Sequence, residues 1–147
     1  ISEGCRTRAH LFRGYTSTNF TEISMAHVLI IDDDNQMRSL LREAFLLAGI
    51  EAETAADGTE AERILYTQHF KVVITDIVMP DKDGFEVIFE LKQSHPTTAI
   101  IAISGGGRLD ATDYLESAKS FGCVAVFQKP LNRKALISKV QELLAAN

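Results

Sequence analysis

No run of apolar residues in this 147-residue chain approaches the roughly 20 needed to cross a bilayer, so no membrane-spanning segment is expected. Positive charge is in short supply as well. The formal net charge of −5 leaves no basic surface to draw in a phosphate backbone, which argues against direct nucleic-acid binding by this domain. Cysteine is scarce: Cys5 and Cys123 stand far apart, with no CxxC and no metal-ligand spacing. That pattern excludes a disulfide framework and suits a reducing cytoplasm. Internal repeats and low-complexity tracts are absent. Residues 1–24, "ISEGCRTRAHLFRGYTSTNFTEIS", lack both a helical and a strand period, and they lack the continuous apolar core of a secretory signal.

These residues read as a disordered leader, an upstream or appended extension ahead of a start-like Met25. A second reading makes them a small interaction arm built from Arg6, Arg8 and Arg13 with Phe12, Tyr15 and Phe20. The leader's three arginines outnumber its two glutamates, so the acidic character belongs to residues 25–147. With 46% hydrophobic and 24% charged residues over all 147 positions, the chain is expected to form one ordinary soluble domain with a single core.

From Met25 onward, short β-branched runs alternate with helical patterns, the signature of a parallel sheet with crossover helices. Five units are legible. "HVLII" leads into "NQMRSLLREAFLLAG", where Met37, Leu40, Leu41, Ala44, Phe45 and Ala48 form an apolar stripe that Gly49 ends. "EAETA" is followed by Asp57-Gly58 and a helix carrying Ala61, Ile64 and Leu65. "KVVIT" precedes a helix from about Gly84 with Phe85, Ile88, Phe89 and Leu91 inward, closed by Pro96. "AIIAIS" precedes "GGGRLDATDYLESAKSFG", the weakest helical pattern of the five. "VAVF" and "NRKALISKVQELL" complete the set, with Asn132 as cap and Leu136, Val140 and Leu143 on one face. Only Ala145, Ala146 and Asn147 follow, so no output domain is expected within this chain.

In an open parallel sheet, chemistry gathers outside the carboxyl ends of the strands. The first strand ends in Asp32, Asp33 and Asp34, the third in Asp76 and the fourth in Ser104, while Lys129-Pro130 follow the fifth. Carboxylates crowded together repel, and a hard cation such as Mg²⁺ holds them ionised. Asp34 reads as a helix cap rather than a ligand, and Asp83 as the cap of the helix after the Met79-Pro80 turn. His10, His27, His69 and His95 share no spacing and are read neither as ligands nor as phosphodonors.

"VLIIDDD", "VVITDIVMPDKDG", "IAISGGG" and "VFQKPL", in that order and each at its own strand end, resemble the receiver domain of two-component response regulators, specifically the single-domain, chemotaxis-regulator-like type. The resemblance covers residues 25–147. It implies a flavodoxin-like (βα)5 fold, a doubly wound five-stranded parallel sheet in order 2-1-3-4-5. It implies a cytoplasmic phosphoacceptor rather than an enzyme, with Asp76 taking a phosphoryl group from a histidine kinase or phosphotransfer protein. Asp33 and Asp76 would ligate Mg²⁺ with the main-chain carbonyl of Val78, and Asp32 through a water. Ser104 and Lys129 would bind the phosphate, Gly105 would leave the pocket unobstructed, and the Lys129-Pro130 bond would be cis. A downstream target or an onward relay partner would read the phosphorylated face.

One departure stands out. The family usually carries an aromatic residue three positions before the lysine, where this chain has Val126. Phe127 is expected on the opposite side of the sheet, because strand side chains alternate. Switching is therefore expected to fall to Ser104, residues 105–107 and the helix of the fourth unit.

Two other readings compete. Asp32-Asp33-Asp34 also holds the D-x-D arrangement of haloacid-dehalogenase-like phosphatases, which would make Asp32 a nucleophile. Against that, Asn35-Gln36 stand where those enzymes carry a small or β-branched residue, and no acidic pair closes a later strand. A degenerate receiver acting only as a binding surface is the other, but no member of the acid, hydroxyl and lysine set is missing. Which aspartate becomes phosphorylated separates all three.

Overall fold

The computed structural model describes residues 27–79, 84–105, 116 and 119–146. The leader, Asp83, residues 106 and 107 and most of the segment expected to form the fourth unit's helix lie outside them, and with these the expectations placed on those residues.

Five strands form one parallel sheet in the order β2-β1-β3-β4-β5: β1 Val28–Ile31, β2 Ala52–Ala55, β3 Val72–Asp76, β4 Ala99–Ser104 and β5 Ala125–Gln128. The register pairs Val28 with both Ala52 and Val72, and Asp76 with Ile103, so the strands are aligned at their ends. Four helices are complete among the described residues: α1 Asn35–Leu47, α2 Gly58–Thr67, α3 Gly84–Ser94 and α4 Arg133–Ala145.

Every residue of β1 and β3 is buried. Central strands of a parallel sheet are covered on both faces, which is why they read as continuous apolar runs rather than alternating ones. One face carries Leu29, Ile31, Val73, Ile100 and Ala102 against Ala61, Leu65, Val87, Ile88 and Leu91 of α2 and α3. The other carries Val28, Ile30, Ile74, Ile101 and Ile103 against Leu41 and Phe45 of α1 and Leu136 and Val140 of α4.

Local chemistry sets the helix ends. Asp34 accepts from the Gln36 and Met37 N–H groups at 3.0 and 3.3 Å, the capping role read from the sequence. Asp57 accepts from Glu60 N–H at 2.8 Å and so caps α2, while Glu60 accepts from Ala56 N–H at 2.7 Å, tying the residue before the cap to the first turn. Asn132 caps α4 through Ala135 N–H. Gly49 ends α1 in the left-handed region at φ 82°.

Two stripe assignments need correction. Leu40 is 45% exposed, because it lies about 100° round the helix from Leu41 and falls off the buried ridge. Phe89 is 59% exposed, and Val87 takes the buried place beside Ile88.

Candidate functional site

The aligned strand ends bring the chemistry-bearing side chains to one edge. Asp32 follows β1, Asp76 closes β3, Ser104 closes β4 and Lys129 follows β5. Main-chain hydrogen bonds continue one residue past the strands and fix this placement: Asp32 N–H donates to the Ala55 carbonyl (3.1 Å), Ile77 N–H to Ile103 (2.9 Å) and Lys129 N–H to Ser104 (2.8 Å). Asp32, Asp76 and Ser104 are all buried.

Lys129 bridges the two buried acids. Its Nζ lies 3.3 Å from Asp32 Oδ2 and 3.2 Å from Asp76 Oδ2. The other oxygen of each acid accepts a main-chain N–H, Asp32 Oδ1 from Asp34 at 2.9 Å and Asp76 Oδ1 from Val78 at 3.3 Å. The Lys129-Pro130 bond is cis, as the resemblance implied.

One ammonium cannot neutralise two carboxylates withdrawn from water. Burial pushes the Asp76 carboxyl up to about 6, and the charge of Asp32 pushes the same way, while Lys129 and the Val78 N–H pull back. Asp32 is raised too, by burial above all, against the opposing pull of Asp34 N–H and Lys129. Burial acts to lower Lys129, but Asp76 and Asp32 together outweigh it and the net shift is upward. The site is short of positive charge.

Oxygens of Asp32, Asp33 and Asp76 lie within 4.8 Å of one another. Each carboxylate oxygen offers two lone pairs, so those already accepting a hydrogen bond retain capacity for a cation. An all-oxygen donor set of this kind fits a hard divalent ion such as Mg²⁺.

Other sequence-named positions are mixed in outcome. A Cβ built on Gly105 would meet only Lys129 Cδ, at 3.6 Å, an ordinary contact, so crowding does not demand glycine there in this conformation. Val126 and Phe127 do face opposite sides: Val126 packs with the cluster under α2 and α3, Phe127 with the one under α1 and α4. The four histidines looked unrelated, yet the fold sets the His69 and His95 rings edge to face at 4.9 Å, away from the acidic edge.

Two contacts near the site escaped the sequence reading. A Cβ on Gly84 would collide with the Asp76 carbonyl and come within 2.6 Å of Ile77 Cα, so only glycine lets α3 start against the end of β3. The glycine after "DKD" was the available signal. Arg38 donates from Nη1 to the Asp32 carbonyl at 2.7 Å, and nothing in its spacing announced that contact.

The response regulator receiver domain model matches residues 28–141. The chain belongs to that family. It is a receiver domain of two-component response regulators, a phosphoacceptor signalling domain, and its sheet order is the family's. The transcriptional regulatory protein CpxR of Klebsiella pneumoniae is 31% identical over 120 residues, covering 82% of this chain and 50% of that protein. A receiver domain protein from Clostridium thermocellum is similar in structure, with TM-score 0.74 and 28% identity over 82% of this chain and 94% of that one. The chemotaxis response regulator CheY4 of Vibrio cholerae aligns with TM-score 0.71 and 30% identity, over 82% of this chain and 99% of that one. The receiver spans about half the length of the CpxR proteins it matches. No helix among its described residues is long and apolar enough to cross a membrane.

Proposed function

We propose that Asp76 is the phosphoacceptor, charged by a phosphohistidine of a kinase or phosphotransfer protein. The observation that supports this most is its setting: a buried strand-end carboxylate with Lys129 Nζ 3.2 Å from one oxygen and a second acid beside it. With its pKa near 6, Asp76 is mostly ionised at neutral pH and more basic than an ordinary aspartate, two properties a carboxylate nucleophile needs. An Asp76 oxygen attacks phosphorus, the donor's P–N bond breaks with its electron pair going to the imidazole, and an acyl phosphate results. Lys129 neutralises charge on the transferred oxygens, and the Ser104 hydroxyl bonds to the new phosphate.

Asp33, Asp76 and the Val78 carbonyl would hold Mg²⁺, with Asp32 acting through a water. Bound Mg²⁺ supplies neutralisation of the carboxylates and of the phosphoryl oxygens. Residues 25–147 form the receiver and residues 1–24 a leader outside it. The domain works in the cytoplasm as a phosphoacceptor, not as an enzyme on a separate substrate, and hands its signal to a target protein or the next relay partner. Val126 is too small and too stiff at χ1 to act as a ring switch, so Ser104, residues 105–107 and the fourth unit's helix carry the change.

Acetyl phosphate with Mg²⁺ tests this: intact mass should rise by about 80 Da, and Asp76→Asn should abolish the gain. Label mapping to Asp32 would overturn the assignment and favour phosphatase chemistry.

A further inference from the structure

The Asp33 carboxylate is exposed, and no hydrogen bond or ion pair with another described residue holds it. What the fold fixes is the bond from which that side chain departs, and the backbone sets it. That backbone is held on one side by Arg38, which reaches back from the second turn of α1. Nη1 donates to the Asp32 carbonyl at 2.7 Å, and Nη2 donates to Asn35 Oδ1. A guanidinium is a planar fork, so two anchored nitrogens fix its orientation. The carbonyl it grips belongs to the peptide joining Asp32 to Asp33, and that peptide is planar. Holding the oxygen therefore sets the tilt of the plane from which the Asp33 side chain departs. Asp32 is fixed independently, by Ala55 at its N–H and by Asp34 and Lys129 at its carboxylate.

We infer that Arg38 is a positioning residue for the cation site, aiming Asp33 by clamping the Asp32–Asp33 peptide. The inference rests on the assignment of Asp33 as a Mg²⁺ ligand. Charge and geometry make opposite demands here, which makes the idea decidable. Arg38 is a cation near an anionic site, so if it acted by charge alone, its removal would tighten Mg²⁺ binding. If it acts by position, its removal loosens binding despite the favourable change in charge.

The experiment measures Mg²⁺ affinity calorimetrically for wild type, Arg38→Ala, Arg38→Lys, Asn35→Ala and Asp33→Ala, with urea unfolding to confirm that each variant is folded. It also measures amide exchange at Asp34 in metal-free protein. Arg38→Ala should weaken binding about tenfold, the low end of what loss of a ligand-orienting partner costs. Arg38→Lys, which keeps the charge and one donor but not the fork, should recover part of the loss. Asn35→Ala, which frees one arm of the fork, should weaken binding less than Arg38→Ala. Exchange at the Asp34 amide, which Asp32 Oδ1 holds at 2.9 Å, should quicken in Arg38→Ala without metal. Unchanged or tighter Mg²⁺ binding in a folded Arg38→Ala, or unchanged exchange, overturns the inference. If Asp33→Ala binds Mg²⁺ as wild type does, the ligand assignment itself fails, and metal-free exchange alone then decides whether Arg38 holds this peptide.

Discussion

Replacing Asp76 with asparagine should stabilise the receiver, and by an amount that depends on pH. The Asp76 carboxyl is raised from 3.8 to about 6, chiefly by burial and then by the charge of Asp32. Between those two values the folded protein keeps a proton that the unfolded chain has released. Stability contributed by this group is therefore lost as pH rises through the window, and the loss is complete a little above pH 6. A difference of about 2 at about 1.4 kcal/mol per unit sets the full cost at about 3 kcal/mol. Asparagine has nearly the same shape, can still accept from Val78 N–H and Lys129 Nζ, and leaves Asp32 to pair with the lysine. Asp76→Asn should be more stable than wild type by about 2–3 kcal/mol at pH 7.5, and by only about 1 kcal/mol at pH 4.5, where most folded wild-type protein is already protonated at this site. Urea unfolding of both proteins at both pH values measures the gap, and titrations of groups remote from Asp76 cancel in the difference. Saturating Mg²⁺ at pH 7.5 should narrow it, because a cation relieves the same repulsion. A gap of equal size at the two pH values, or a variant less stable than wild type at pH 7.5, would refute the electrostatic account of this site.

Asp33→Ala should weaken Mg²⁺ binding far more than Asp34→Ala, whereas Asp34→Ala should cost about 1 kcal/mol of stability through loss of the α1 cap; equal losses of Mg²⁺ affinity in a titration would contradict the division of roles. Gly84→Ala should destabilise the fold by about 2–4 kcal/mol in urea, since α3 and the Asp76–Ile77 backbone must separate to admit a methyl group. Burial holds the Cys123 thiol near 11, up from 9.0, so its alkylation by iodoacetamide at pH 8 should be about 100-fold slower in the folded protein than in urea. Peptide-resolved mass spectrometry reads that rate at Cys123 separately from Cys5.

Strand-end chemistry was legible before the fold because each informative residue sits where a strand must stop. An apolar run closed by Asp76, or by Ser104, is uncommon enough to mark its position, and a parallel sheet sends all such ends to one edge. Caps were legible for a similar reason: Asp34 and Asn132 each precede a helical stripe. The misses share a different cause. Leu40 and Phe89 are apolar and near the right spacing, and only the three-dimensional crossing of helix on sheet decides which shoulder of a stripe is buried. Gly84 and Arg38 act on backbone atoms of residues distant in sequence or hidden by the turn between, and a side-chain pattern carries no record of a backbone contact. The edge contact of His69 and His95 joins the ends of two units, which no local spacing reports.

On the proposed function Asp76, and no other carboxylate, carries the phosphoryl group as an acyl phosphate. After treatment with acetyl phosphate and Mg²⁺, borohydride reduction followed by peptide sequencing reads this directly, because reduction converts an aspartyl phosphate to homoserine. The account predicts homoserine at position 76, dependent on Mg²⁺, with Asp32 and Asp33 unmodified. Homoserine at position 32, or none at all in protein shown to be folded and bound to Mg²⁺, would contradict it.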